Sequence, residues 1–231
     1  MVIKITENTV VKNENILLIG GCGCGKTRYF VNPILVDGDF TFLLMDFYET
    51  NLTELIPNSE IIEFKEEIDC ENISEKLNKK INIFANIPVN PRCNSLNNVV
   101  KTEKKQIEEN IKNVLENLIQ KENQRPILCI LDMFGCFDFS FIDSELIKKA
   151  NSKNIYFVFI LQNINQLTSK DVLEHTNVKL LFGQLSDNNY EYFKDILKGS
   201  RLDENNFKSC LVLINDKVIW DKKLIAIDES P

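Results

Sequence analysis

The sequence predicts an α/β fold: a mostly parallel central sheet flanked by helices and closed by a C-terminal β-hairpin. Three observations carry that prediction. Short apolar runs alternate with helical segments along the chain, the pattern of strands joined by crossover helices. Several runs, among them FTFLLM at 40–45 and IYFVFIL at Ile155–Leu161, are almost continuously apolar, as strands covered on both faces are. The first such run, Ile16–Ile19, leads straight into a glycine-rich loop and then a helical stretch.

The elements follow in order. Residues 2–5 and 9–11 form a small lead-in hairpin. Ile16–Ile19 is the first core strand and 26–35 the first helix. Strands are expected at 40–45, 61–64 and 81–85, with a weak helix at 72–79 between the last two. Residues 88–98, rich in proline and asparagine, are loop. Residues 101–121 form a long helix, because Ile107, Ile111, Val114, Leu115, Leu118 and Ile119 recur at helical spacing. Ile127–Leu131 is an apolar strand, 143–150 a helix opened by Asp143, and Ile155–Leu161 the most hydrophobic strand. Thr168, with Asp171 three residues on, opens a short helix as a variant capping box. His175 ends that helix, where positive charge is favourable. Val178–Phe182 is a strand and Asp187–Leu197 a helix. Residues 210–214 and 218–220, split by Asn-Asp-Lys, read as a hairpin. No internal repeat or linker appears, so one domain over 1–231 is the economical division.

Composition narrows the function classes. The chain has 231 residues and 44% hydrophobic content, enough for a full-sized core. No run of about eighteen apolar residues occurs, so no membrane span is expected. The N-terminus lacks a basic stretch followed by an apolar one, so no signal peptide is expected. A net charge of −7 argues against a surface coated for nucleic acid, although a local basic strip is compatible with it. Seven scattered cysteines, two of them inside the glycine loop, point to free thiols in a reducing cytosol. Cys22-x-Cys24 has no second ligand pair at zinc spacing, and His175 is the only histidine.

The loop carries the chemistry. Gly20 and Gly25 frame four residues before Lys26-Thr27, the GxxxxGK[ST] spacing of a Walker A phosphate loop. Gly20, Gly21, Gly23 and Gly25, with Cys22 and Cys24 between them, allow backbone N–H groups to converge on phosphate oxygens. The next helix turns its positive end toward the same anion. Lys26 is expected to reach the β- and γ-phosphates of ATP, Thr27 to hold Mg²⁺, and Arg28 to face the nucleotide or its own helix. Downstream, ILCILD ends an apolar strand on Asp132, the place of a Walker B carboxylate that binds Mg²⁺ directly or through water. Met133 follows, where many P-loop motors carry a glutamate. Methionine cannot accept a proton, and general-base help is worth roughly 10²–10⁴-fold in rate. Gln162, at the end of Ile155–Leu161, is the candidate for orienting water instead; the bland alternative is a polar cap on a buried strand.

These residues together resemble the conjugative coupling proteins of the TraG/TraD type, the ATPases of type IV secretion related to FtsK and HerA. The string GGCGCGKTRYFVNPIL resembles their Walker A helix, and Arg28 to Pro33 is its most specific part. CILDMFGCFD lies at their Walker B, FVFILQNINQL resembles their strand ending in glutamine, and NVKLLFGQLSDNNYEYFKDILKG and CLVLINDKVIWDKK resemble the segments that follow. The resemblance runs from about residue 10 to 223. It implies a RecA-like P-loop NTPase fold, ATP and Mg²⁺ as cofactors, Lys26, Asp132 and Gln162 as catalytic residues, and a hexameric ring of identical subunits. It further implies DNA as a partner, membrane-bound secretion components, and a cytoplasmic site, peripheral to the inner face of the membrane.

The departures shape the functional expectation. The family's transmembrane helices are missing, and its all-α insert is reduced to about residues 65–125. Asp46 matches the family's Asp-Pro-Lys-Gly segment, but Phe47 and Tyr48 replace Pro-Lys, and Met133 replaces the catalytic glutamate. Two functions compete: an ATP-driven DNA translocase or its remnant, and a nucleotide-gated assembly or regulatory protein that hydrolyses little. Arg201 is the candidate for an arginine supplied to a neighbour's γ-phosphate, with Arg28, Arg92 and Arg125 the other arginines. Lys101, Lys104 and Lys105 are the densest basic cluster, a solvated helix start or a DNA contact. A small-molecule kinase is disfavoured by so few arginines for a lid. A GTPase is disfavoured because Asn78-Lys79 lacks the following aspartate.

Overall fold

The computed structural model describes residues 1–6, 9–46, 56–64, 68–87, 98–123, 125–132, 137–167, 169–183, 185–197 and 209–223. β1 (Val2–Lys4) and β2 (Val10–Lys12) form the lead-in hairpin, with Ile3 opposite Val11 and both buried. The remaining strands make one nine-stranded sheet: β3 (Ile16–Ile19), β4 (Thr41–Asp46), β5 (Ser59–Glu63), β6 (Asn82–Asn86), β7 (Ile127–Leu131), β8 (Ile155–Leu161), β9 (Val178–Phe182), β10 (Ser209–Ile214) and β11 (Lys217–Lys223). Their spatial order is β11-β10-β9-β3-β8-β7-β4-β6-β5. Every pairing from β9 to β5 is parallel; β10 and β11 close one edge antiparallel.

The apolar runs explain why β3, β7, β8 and β9 lie in the middle. All their residues are buried, as both faces of a parallel sheet must be covered. The pleat sends alternate residues to two cores. Leu17 and Ile19 pack with α2 (Cys70–Asn78), α3 (Asn98–Gln120), α4 (Ser144–Ser152) and α6 (Asp187–Leu197) on one face. Ile16 and Leu18 pack on the other with Phe30, Val31 and the lead-in hairpin, and with α1 (Asn32–Asp37). On α3, Ile107, Ile111, Val114, Leu115 and Leu118 form one fully covered stripe. Each such side chain contributes about 1.5–3 kcal/mol by leaving water.

Most expected boundaries hold within a residue or two, and the exceptions have local causes. Asp143 caps α4 as expected, its carboxylate accepting from the Leu146 N–H. Residues 26–35 are not one regular helix. Thr27–Val31 is a π-helical turn in which the Asn32 N–H bonds the Thr27 carbonyl, and α1 follows. Pro33 accounts for the widening, since it has no N–H to donate back and cannot continue the ordinary ladder. Around the start of the short helix the described bonds come from its neighbours. α5 (Asp171–Glu174) has Lys170 at its N-cap without a side-chain bond; the Ser169 hydroxyl accepts from the Asp171 N–H, and the Asp171 carboxylate accepts from Ser144 N–H. Thr168 itself lies outside the described residues, as do 88–97 of the expected loop. At the edge hairpin, Asn215 and Asp216 both take left-handed φ (51° and 58°), as a two-residue turn between twisted strands requires. Asp216 also pairs at 2.8 Å with the buried ammonium of Lys179 on β9, tying the hairpin to the sheet.

Candidate functional site

The glycine loop leaves β3 at the carboxyl edge of the sheet. Gly20 N–H donates to the Leu161 carbonyl of β8 at 3.2 Å, so the loop starts anchored between strands. A Cβ on Gly20 would sit 2.8 Å from Cys24 Sγ and 2.8 Å from Phe182 Cβ, closer than side-chain carbons approach. Gly23 and Gly25 take left-handed φ (76° and 91°), which turns the backbone back on itself before the helix. Lys26 is buried. Its ammonium donates to the Gly20 carbonyl at 2.7 Å and the Gly21 carbonyl at 2.9 Å, with Cys24 Sγ at 3.5 Å. The loop is thus a ring of glycines closed by its own lysine.

Thr27 opens the π-helical turn and is partly exposed. Arg28 is exposed, with its guanidinium carbon 5.7 Å from the Tyr29 ring centroid, so it lies along its own helix. The two loop cysteines diverge. Cys22 is exposed, whereas Cys24 is fully buried in the core on the α1 side. Cys22, Cys24, Cys70, Cys129 and Cys210 are all free thiols; burial pushes Cys129 up to about 12 and Cys210 well above the usual thiol range.

Strand order brings the other two candidates to this loop. β8 lies between β3 and β7, so the strand of Gln162 separates the strand of the glycine loop from the strand of Asp132. Two inter-strand spacings put β3 and β7 roughly 10 Å apart. Ile19 pairs with Leu161, so Gln162 continues the row of Gly20; Leu131 pairs with Phe159, so Asp132 sits two residues lower, about 7 Å along the strands. Ile19, Leu131 and Leu161 all belong to the core on the α3 side. Gly20 lies on the opposite side, where an added Cβ would meet Phe182 of the core that also holds Phe30, Val31 and α1; Asp132 and Gln162 follow directly on Leu131 and Leu161 at the same edge. The Asp132 N–H donates to the Met45 carbonyl at 3.3 Å, and the register brings Asp46 level with Asp132 and beside Asn86. Met133 lies outside the described residues, as do Phe47, Tyr48, Arg92 and Arg201.

The remaining candidates are accounted for locally. Arg125 pairs with Asp39 at 2.6 Å on the surface. Lys104 and Lys105 lie near the half-buried Glu108, whose carboxyl burial pushes up and whose Oε1 accepts the Asp138 N–H at 2.7 Å. That bond ties the chain beyond Asp132 to α3. Lys101 lies in α3, with its side chain outside the described set. His175 is the C-cap of α5, and its carbonyl accepts from the buried Asn15 side chain.

Sequence reading missed the residues that hold the turn after β8. Gln166 Oε1 accepts two backbone N–H groups, those of Gln162 and Asn163, at 2.9 Å each. Asn163-x-x-Gln166 has capping-box spacing, a signal that could have found it. Asn189 on α6, wholly buried, bonds the same turn and carries no local sequence signal.

No protein-family model and no curated protein sequence matches this chain. Solved structures do. VirB4 of Thermoanaerobacter pseudethanolicus superposes with a TM-score of 0.64 at 10% identity over 93% of this chain and 90% of its own. The genome packaging NTPase B204 of Sulfolobus turreted icosahedral virus 2, solved with ATP-gammaS, gives 0.63 at 9% identity over 93% and 100%. The bacterial conjugative coupling protein TrwB, as its ΔN70 form, gives 0.59 at 10% identity over 95% and 87%. The chain has the RecA-like P-loop NTPase fold. Its structural neighbours include a genome packaging NTPase, VirB4 and a conjugative coupling protein.

Proposed function

We propose that this protein binds ATP with Mg²⁺ in the glycine loop and works as a motor domain, or a remnant of one, of the kind that drives DNA transfer in type IV secretion and conjugation. One observation carries the proposal: the sheet order β3-β8-β7 brings the loop, Gln162 and Asp132 out at one edge of the sheet. The residues present fit the ligand. The left-handed Gly23 and Gly25 supply inward-turned amides, Lys26 supplies a cation, and Thr27 and Asp132 supply the hard oxygen donors that Mg²⁺ takes.

In this reading Lys26 exchanges its bonds to the Gly20 and Gly21 carbonyls for phosphate oxygens. Thr27 and Asp132 hold the metal, which neutralises phosphate charge when bound. Gly20, Gly21, Cys22, Gly23, Cys24 and Gly25 form the cradle, Arg28 flanks it from the surface, and Gln162 orients water. The assembly is a homo-oligomeric ring, with DNA and membrane-bound secretion components as partners, and the residues form one nucleotide-binding domain. Among the described residues no helix is long and apolar enough to cross a membrane; the place proposed for the protein, at the inner face of the membrane, comes from the family resemblance.

The second reading is a nucleotide-gated assembly or regulatory protein, and Met133 favours it, because the residue after Asp132 offers no base. Calorimetry with ATP–Mg²⁺ on wild type and Lys26→Ala tests the shared premise: binding is expected in the first and lost in the second. Turnover above roughly 0.1 s⁻¹ with DNA present, the lower edge of ordinary enzyme rates, selects the motor over the regulator.

A further inference from the structure

We propose that Asn189 and Gln166 are positioning residues that hold Gln162 against the glycine loop, and that through Asn189 helix α6 sets the γ-phosphate preference of the site. The proposal rests on the reading of Gln162 as the residue that orients water at the γ-phosphate. At Gln162 the sheet ladder ends, and side chains take over the hydrogen bonding of the backbone. The Gln162 N–H donates to Gln166 Oε1 at 2.9 Å, which also takes the Asn163 N–H at 2.9 Å. The Gln162 carbonyl accepts from Asn189 Nδ2 at 3.0 Å, and Asn189 Oδ1 accepts the Ile164 N–H at 2.7 Å. Two amide side chains therefore fix three successive residues, 162 to 164.

Asn189 has no solvent exposure, and both of its polar groups are spent on this turn. A second strut joins the same helix end: Asn163 Nδ2 donates to Ser186 Oγ at 3.1 Å, and the Asn189 N–H reaches that oxygen at 3.4 Å. The turn is consequently fastened to α6. Gln162 differs from its neighbours in that its own side-chain amide has no hydrogen-bond partner among the described residues, while its backbone is held at both ends. The row it continues is that of Gly20, whose N–H is bonded to Leu161. A shift of α6 relative to the sheet moves the Gln162 carbonyl with it, and displacements of about 1 Å are enough to cost on the order of 10²-fold in well-aligned sites.

A purely structural role would also destabilise the protein on mutation, so stability alone does not discriminate. The ratio of ATPγS to ADP affinity does. Calorimetry on the full chain compares wild type, Gln162→Ala, Asn189→Asp, Gln166→Ala, Gln166→Glu and the double variant Gln162→Ala/Asn189→Asp, with thermal unfolding in parallel. Asn189→Asp keeps the acceptor for Ile164 but loses the donor to Gln162; Gln166→Glu keeps the acceptor for both N–H groups. The expected result is a loss of preference for ATPγS of about tenfold, the size of one hydrogen bond, in Gln162→Ala, Asn189→Asp and Gln166→Ala. The double variant loses no more than the singles, and Gln166→Glu stays within about twofold of wild type. Unchanged preference in Asn189→Asp and Gln166→Ala, no effect of Gln162→Ala, or losses that multiply in the double variant overturn the proposal while leaving nucleotide binding intact. Should Asn189→Asp not fold, Ser186→Ala, which removes the other strut between α6 and the turn, takes its place beside the two Gln166 variants, and unchanged preference in all three overturns the proposal. Wild type that binds neither nucleotide overturns the underlying reading as well, and is recognisable as that.

Discussion

The ammonium nitrogen of Lys26 lies 2.7 Å from the carbonyl oxygen of Gly20, the residue that opens the loop Lys26 ends. The lysine is therefore a latch for the loop, and in the proposed reading it is also the cation that the nucleotide draws away from that latch. Lys26→Ala removes the cation and leaves the Gly20 and Gly21 carbonyls without it. ATP affinity should fall by about 10- to 150-fold, since hydrogen bonds to charged groups are worth about 1.5–3 kcal/mol. Unfolding in urea should show a loss of about 1–3 kcal/mol in the same variant. Retained affinity in calorimetry would disprove the assignment of this lysine.

Gly20 is required for space. Alanine there meets Cys24 Sγ and Phe182 Cβ at 2.8 Å, so Gly20→Ala should cost about 1–3 kcal/mol in chemical denaturation. Adding Cys24→Ala should return part of that loss, because one of the two clashing atoms is gone. No recovery at all would show that Phe182 alone sets the limit.

The cysteines should sort by environment. Thiolate is the reactive form, so a raised pKa slows alkylation at any given pH. Cys22 is exposed, while Cys129 and Cys210 are buried and shifted upward. Iodoacetamide at pH 8, read by peptide mass mapping, should label Cys22 first and Cys129 and Cys210 only after denaturation. ATP affinity should be lost as Cys22 is modified; full affinity after complete labelling would separate this thiol from the phosphate path.

The edge hairpin depends on a cation inside the sheet. Lys179 is buried and pairs with the more exposed Asp216. Asp216→Ala strands that charge and should lower stability by about 1–3 kcal/mol. Lys179→Met, which removes the charge together with its desolvation cost, should be closer to neutral. The two urea midpoints decide between a pair that stabilises and one that only avoids a penalty.

Met133→Glu tests whether the site is assembled but lacks a base. If Asp132 and the loop are correctly aligned, turnover should rise about 10²-fold, the lower range of general-base assistance. A phosphate-release assay that shows no change would place the obstacle elsewhere in the site.

Much of this was legible in the chain. The glycine spacing and the apolar runs Ile16–Ile19, Ile127–Leu131 and Ile155–Leu161 announced a parallel sheet and a tightly turned loop after its first core strand, because burial on both faces and left-handed φ each demand particular residues locally. The π-helical turn was half legible: Pro33 was visible, but its effect on the ladder depends on how the loop enters the helix. The inward turn of Cys24, away from Cys22, was not, since it depends on Phe182 and the core beneath β3.

Local chemistry in the sequence determined which residues form strands, where the loop must bend, and which side chains carry charge to it. Only the tertiary structure decided that β8 separates β3 from β7, that Gln162 continues the row of Gly20, and that Asn189 reaches that turn from α6. The reason is physical. Hydrophobic periodicity acts over a few residues, whereas strand order and a buried amide's partners are fixed by contacts between segments far apart in the chain.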